Sequence, residues 1–358
     1  MLGNSKLVLD TWCEVYDLLR PWADAEFWNL QNHVDQGQLI AGATYLIGRE
    51  QTRINVPLIR ELAMNGTVKI VFSNPAEGSE TMVNHLKVMG IYDLVEQGRI
   101  VLIVGGDVPE HLPHLFYENF LPKVLDYKEN IQAIDAYQQH SGRDRAYKFL
   151  YLNGRGRWHR KYLFDQLQDL LPQAIWTNLD TANGPIQLLP AQYEVPRFAK
   201  SLAVPDSGCV KTELFGQGIW GDIILYEAPY LDTYFSLVTE TVNAIPYSFR
   251  TEKIWKPVAM GHPWIVAANQ GYYRDMRNLG FKTFEHLIDE SFDNITNEQD
   301  RIERIAEVVS DLLKQDLPSF LTAAEDVCKY NQQHLREAIK IARKQFPDRL
   351  SNFLSTYY

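Results

Sequence analysis

Cysteine is scarce. The chain holds three, Cys13, Cys209 and Cys328, far apart and odd in number. That pattern fits neither a disulfide framework nor a cysteine zinc site, and it suits a reducing, cytoplasmic setting. Long apolar runs are missing too: nothing approaches the roughly 18 residues that a membrane span needs. The opening residues, MLGNSKLVLDTWCEVYD, carry no basic start followed by an apolar stretch, so no secretory signal is read there. Positive charge is in deficit, with 35 Lys and Arg against 45 Asp and Glu, a net −10. Attraction of the whole chain to a polyanion such as nucleic acid is therefore not expected. The sequence has no HExxH or paired-histidine spacing, no GxSxG and no GxGxxG. No Asp-x-Asp follows a strand, so a metal site is not expected.

What is present is an ordinary globular composition, 46% hydrophobic, 22% charged and 12% aromatic. At 358 residues the chain is long enough for two domains. Residues 6–19 read as a helix. From residue 43 a clear alternation begins. Short apolar strands at 43–47, 68–72 and 99–104 are separated by helical spacing at 51–64 and 80–89. A polar stretch, 126–145, carries one helix-like segment at 129–139. A second alternation then has strands at 148–152, 174–177, 234–239 and 264–268, and helices at 160–171, 251–260 and 272–279. From 298 onward the pattern is helical, with Ile302, Ile305, Val308, Val309 and Leu312 on one stripe. Strand–helix alternation with short turns predicts an α/β protein with two parallel sheets, each a Rossmann-like half. The expected division is 1–140, 145–305, and C-terminal helices at 306–358 that return to the first domain. Ligands of such sheets sit outside the carboxyl ends of the strands, here in a cleft between two facing halves.

Two charged stretches meet that rule. Asn153-Gly154-Arg155-Gly156-Arg157-Trp158-His159-Arg160-Lys161 follows a strand directly and opens a helix. Its glycines let backbone N–H groups approach an anion, and Arg155, Arg157, Arg160 and Lys161 match phosphate oxygens. A solvated basic turn is the alternative. The second stretch, Ser248 to Trp264, crowds Arg250, Glu252, Lys253 and Lys256 at a helix start. Thr251 is a good N-cap and Glu252 suits the first turn, but Lys253 opposes the helix dipole. A phosphate ligand accounts for it: the carboxylate takes a ribose diol while Lys253 neutralises phosphate. An amphipathic helix with its charges in water is the alternative. Glu240 and Thr241, just past the strand 234–239, fall on the same rim. Asp289, Glu290 and Asp293 form an acidic cluster read as a surface loop or helix start, and His262 reads as a structural turn residue.

The run FRTEKIWKPVAMGHPWIV resembles the donor-binding stretch of the α1,3-fucosyltransferase class, an aromatic followed by Thr-Glu-Lys, an apolar helix and a strand. FLYLNGRGRWHRKYLFDQL resembles the strand–turn–helix that supplies that family's phosphate-binding arginine. The longer run from YFSLVTETV to GFKTF is similar to glycosyltransferase-like proteins of bacteria and tailed phages. The resemblance covers about 145–290 and is weak before 140. It implies the GT-B architecture, a nucleoside-diphosphate sugar as donor substrate, and no required metal or other cofactor. It implies that Glu252 holds the ribose, Lys253 the phosphates, and Arg157 or Arg160 a phosphate. An inverting enzyme also needs a carboxylate base from the first domain. Glu50 and Asp107 qualify, since each follows a strand beside glycine; capping of a helix by Glu50 and shaping of a turn by Asp107 are the alternatives. The expected acceptor is a carbohydrate or small-molecule hydroxyl, with modified nucleotide or phage DNA as the other option. The competing reading is a nucleotide- or glycan-binding protein, such as a phage accessory or structural protein, that keeps the fold without turnover.

Overall fold

The computed structural model describes residues 6–76, 82–106, 108–154, 156–179, 187, 189–193, 211–214, 217–220, 224–244 and 247–358, with backbone alone at 50–54, 191, 211–214 and 217–220. The chain divides into two compact units, Met1–Asn119 with Ala338–Tyr358, and Phe120–Glu337. Residues 120–140, which the sequence assigned to the first domain, therefore belong to the second. The reason is packing. Tyr137 sits edge-on to His262, at 6.0 Å between ring centroids, and Phe120 sits edge-on to Phe249.

The first unit is built on one sheet of six parallel strands. They are β1 (Leu7–Asp10), β2 (Ala25–Phe27), β3 (Thr44–Gly48), β4 (Lys69–Asn74), β5 (Ile100–Val104) and β6 (His114–Phe116), in the order β2-β1-β3-β4-β5-β6. Among the described residues, helices α1 (Tyr16–Leu19), α2 (Leu30–Asp35), α3 (Arg49–Asn65), α4 (Met82–Met89) and α5 (Tyr92–Glu96) belong with it. Side chains alternate across the sheet. Tyr45, Ile47, Ile70, Phe72 and Leu102 pack with Ile59, Leu62, Leu86 and Leu94 of the helices on one face. Leu9, Leu46, Val71 and Val101 pack with Phe346, Leu350 and Leu354 on the other.

Here the expected helix at 6–19 is cut back to Tyr16–Leu19. LVLD is β1, hydrogen-bonded to β2 on one side and β3 on the other, and all four residues are buried. A strand covered on both faces has no period-2 alternation, so its apolar run is indistinguishable from a buried helix segment. The glycine after β5 is required by close packing. A Cβ on Gly105 would stand 2.0 Å from the carbonyl oxygen of Pro75, so close packing of two strand-end turns requires the glycine.

The second unit begins with α6 (Phe120–Lys123) and α7 (Lys128–His140). Then come β7 (Phe149–Asn153), α8 (Trp158–Gln166), β8 (Ala174–Asn178), the antiparallel pair β9 (Lys211–Leu214) and β10 (Gln217–Trp220), and α9 (Glu227–Leu231). It continues with β11 (Phe235–Thr239), α10 (Glu252–Met260), β12 (Trp264–Ala267), α11 (Tyr272–Asn278) and α12 (Glu298–Leu312). The last helix, α13 (Leu317–Tyr357), runs on into the first unit's segment. Strands β7, β8, β11 and β12 form a parallel sheet in the order β12-β11-β7-β8. The chain leaves β7 towards one edge and returns at β11 towards the other, so the topological reversal lies between β7 and β11. In the acidic cluster after α11, Asp289 is exposed, while Glu290 and Asp293 lie at the start of a short 3-10 helix, Ser291–Asn294, which fits the helix-start reading. Asp293 is buried and accepts from the N–H groups of Tyr273 and Arg274, capping α11, while Glu290 accepts from Phe284 N and pairs with Arg277. Among the described residues no helix is long and apolar enough to cross a membrane.

Candidate functional site

β7 ends at Asn153 and β11 at Thr239, on neighbouring strands. The Thr239 hydroxyl donates to Asn153 Oδ1 at 2.6 Å, tying the two carboxyl ends together. The loop after β11 turns back at Glu240, whose side chain is fully buried. Four donors converge on its carboxylate. Thr251 N and the Tyr272 hydroxyl reach Oε1 at 3.0 and 3.2 Å; the Thr251 hydroxyl and Thr241 N reach Oε2 at 2.7 and 3.2 Å. Glu240 thus fixes the start of α10. The sequence placed Glu240 among the ligand contacts, but its oxygens are used inside the protein, because the acid lies below the rim rather than on it.

Thr251 caps α10, its Oγ1 accepting from Lys253 N at 3.4 Å. The cap leaves Glu252 and Lys253 in the first turn. Lys253 Nζ donates to Glu252 Oε1 at 2.6 Å, to Thr251 Oγ1 at 3.0 Å and to Thr241 Oγ1 at 3.5 Å. Burial alone would raise the Glu252 carboxyl, but the charges of Lys253 and Lys256 outweigh it and hold it below the usual carboxylate range. Lys253 and Lys256 are half-buried, and Arg250 is buried directly ahead of Thr251. The helix ends at Gly261, in the left-handed region at φ 71°, where the side chain of Gln332 lies across it.

Across the reversal, Arg157 is the N-cap residue of α8 and is half-buried. His159 and Arg160 point inward. His159 Nε2 donates to the Glu240 carbonyl at 2.9 Å, and Arg160 Nη2 donates to the carbonyls of Thr239 and Glu240 at 3.2 and 3.3 Å. Burial, and then the neighbouring Arg160 charge, push His159 down to about 3, so it is neutral at physiological pH. Burial and the Arg157 charge bring Arg160 down to about 10, which leaves it charged. Arg160 therefore braces the loop after β11 from within. Lys161 faces outward in an ion pair with Asp165, away from this group.

The structure brings together Arg157, Arg160, Glu240, Thr241, Glu252, Lys253 and Lys256. Arg160 feels the charges of Arg157, Glu240 and Glu252, and Glu252 those of Lys253 and Lys256, so cations and carboxylates share one environment. Two helix N-termini, of α8 and α10, open on the same rim. Anions are favoured there by the dipoles and by exposed N–H groups. His159 and Tyr272 were not singled out in the sequence, because nothing in their spacing marks them. Their roles arise from contacts with Glu240, 81 and 32 residues away.

Arg155 and Asp107 lie outside the described residues. Glu50 falls in the first turn of α3, directly after β3, with only its backbone described. The corresponding reversal of the first sheet lies between β1 and β3, and the acid found there is Asp10. It is fully buried and accepts from Gly48 N at 2.9 Å and Trp12 N at 3.0 Å. Among the described residues no cluster of three or more His, Cys, Asp or Glu could hold a metal. No protein-family model and no curated protein matches the chain.

Proposed function

We propose that the chain is a glycosyltransferase of the GT-B architecture, using a nucleoside-diphosphate sugar as donor. Support comes chiefly from one observation: the Glu252–Lys253 pair at the start of α10 and Arg157 at the start of α8 flank the carboxyl-end reversal of a parallel sheet, and buried Arg160 feels the charges of both Arg157 and Glu252. In this reading Lys253, Arg157 and the two helix N-termini hold the diphosphate. Glu252 exchanges part of its contact with Lys253 for the ribose hydroxyls. Buried Glu240, Arg160 and His159 keep the loop and helix starts in place, so the site is ordered before the donor arrives. The acceptor is a carbohydrate or small-molecule hydroxyl. Its oxygen attacks the anomeric carbon, its proton passes to a carboxylate base, and the bond from that carbon to the phosphate oxygen breaks. The electron pair leaves with the diphosphate, where Lys253 and Arg157 stabilise the added charge. An in-line attack of this kind inverts the anomeric centre.

The test has two arms. Calorimetric titration with ADP, GDP, UDP and CDP is compared with the matching nucleosides, for the wild type and Lys253→Ala. Losing a hydrogen bond to a charged group is worth about 1.5–3 kcal/mol, so affinity for the diphosphate should fall about 10- to 100-fold, with little change for the nucleoside. Equal losses for both would contradict the phosphate role. Release of free nucleoside diphosphate from a panel of nucleotide sugars, with and without added saccharides, then tests turnover. Binding without release would leave a nucleotide-binding protein and remove the enzyme.

A further inference from the structure

Trp158 has no part in the scaffold just described, yet it occupies the first position of α8, next to Arg157. It is 53% exposed, on a helix whose neighbouring residues His159 and Arg160 are buried. Its ring lies parallel to that of Tyr162, one turn further on, with centroids 5.4 Å apart and planes 7° apart. Tyr162 is itself held. Its hydroxyl donates to Glu303 and accepts from Gln299 Nε2 at 2.9 Å, and Gln299 also donates to Glu303 at 3.0 Å. Both partners lie on α12, so the lower ring of the stack is fixed to a second helix.

A simple i, i+4 aromatic pair stabilises an exposed helix only slightly. It needs neither a tether to another helix nor an indole left half in water. What the arrangement supplies is a flat, supported surface with one face open, beside a site suited to phosphate. Aromatic faces of this kind bind other flat rings through offset stacking, and every nucleobase has such a face.

We propose that Trp158, backed by Tyr162, is the platform on which the nucleobase of the donor stacks. This rests on the donor-site reading above and adds to it the recognition of the base. Stacking reads ring area rather than hydrogen-bonding edges. The platform therefore favours the two-ring purines over the one-ring pyrimidines through Trp158 itself.

The experiment titrates the wild type, Trp158→Phe and Trp158→Leu with ADP, GDP, UDP, CDP and inorganic pyrophosphate. Leucine keeps apolar bulk but cannot stack, whereas phenylalanine keeps a ring. The expected result is a loss of about 5- to 100-fold in nucleotide affinity for Trp158→Leu, greatest for whichever purine binds best. Trp158→Phe keeps most of that affinity, and pyrophosphate binds all three proteins alike. Unchanged nucleotide affinity in Trp158→Leu would overturn the platform while leaving the donor site intact. An equal loss for pyrophosphate would make Trp158 a structural residue and overturn it also. If the wild type binds neither nucleotides nor pyrophosphate, the donor-site reading fails, and the platform falls with it.

Discussion

Two histidines are kept neutral by burial, and each is committed to one tautomer. His262 donates from Nε2 to the Thr233 carbonyl at 2.7 Å, and its Nδ1 accepts from the Ser236 hydroxyl at 2.9 Å. Burial pushes it down to about 3, as it does His159. The unfolded chain binds a proton at each near pH 6.5, while the folded chain resists until about 3. Their stabilising effect is therefore fully present above pH 6.5 and is lost progressively as pH falls towards 3. Each contributes a slope of about 1.4 kcal/mol per pH unit across that window. Between pH 7 and 5, His262 alone accounts for about 2 kcal/mol. Urea unfolding at the two pH values, for the wild type and His262→Gln, checks this. The variant should be less stable at pH 7 and should lose less on acidification. An unchanged pH dependence would mean that His262 binds its proton as readily in the folded as in the unfolded chain.

At the scale of elements, α10 connects the site to the rest of its unit. Its start is bonded to Glu240 through Thr251, and its end is covered by α13, where Gln332 Nε2 donates to the Ala259 carbonyl at 2.8 Å. Between them Ile254, Trp255, Val258 and Met260 are buried, so the helix is seated along its length. Thr251 both caps the helix and fills two of the Glu240 contacts. Thr251→Ala should cost at least the roughly 1 kcal/mol of a lost cap, and more because Glu240 loses a buried donor. Thr251→Ser keeps the oxygen and should retain most of the stability. Thermal melts of both variants, set beside diphosphate affinity, make the comparison. A melt of Thr251→Ala that matches the wild type would show that Glu240 does not depend on this hydroxyl.

For the whole molecule, the return of the chain end to the first unit is the main packing event. Phe346, Leu350 and Leu354 cover a face of the six-stranded sheet on which Leu9, Leu46, Val71 and Val101 would otherwise meet water. Leu350 is fully buried, while Ile341 on the same helix is 51% exposed. Leu350→Ala should therefore lower the free energy of unfolding by about 2–5 kcal/mol. Ile341→Ala should stay within about 0.5 kcal/mol of the wild type. Denaturant curves for the two, together with hydrogen exchange in β1 to β5, read both the size and the place of the loss. Equal effects of the two substitutions would contradict this account of the sheet's cover.

Much of this was determined by the sequence alone. Strands that alternate with amphipathic helices can bury their apolar faces only as parallel sheets, so β3 to β5 and β7 to β12 were legible apart from the hairpin. Thr251 and Gly261 marked the ends of α10 because capping and left-handed turns are local requirements. The place of Glu252 and Lys253 in the first turn was equally local, though their pairing with each other was not read there. Tertiary structure alone decided the rest. β1 is buried on both faces and shows no period, so its LVLD could not be told from a helix. The roles of Glu240 and Arg160 depend on β7 and β11 lying side by side, which brings Asn153 against Thr239 across 86 residues. Spacing along the chain tells which charges stand near one turn. Only the order of strands in the sheet decides which of them are drawn beneath the rim and which are left at its surface.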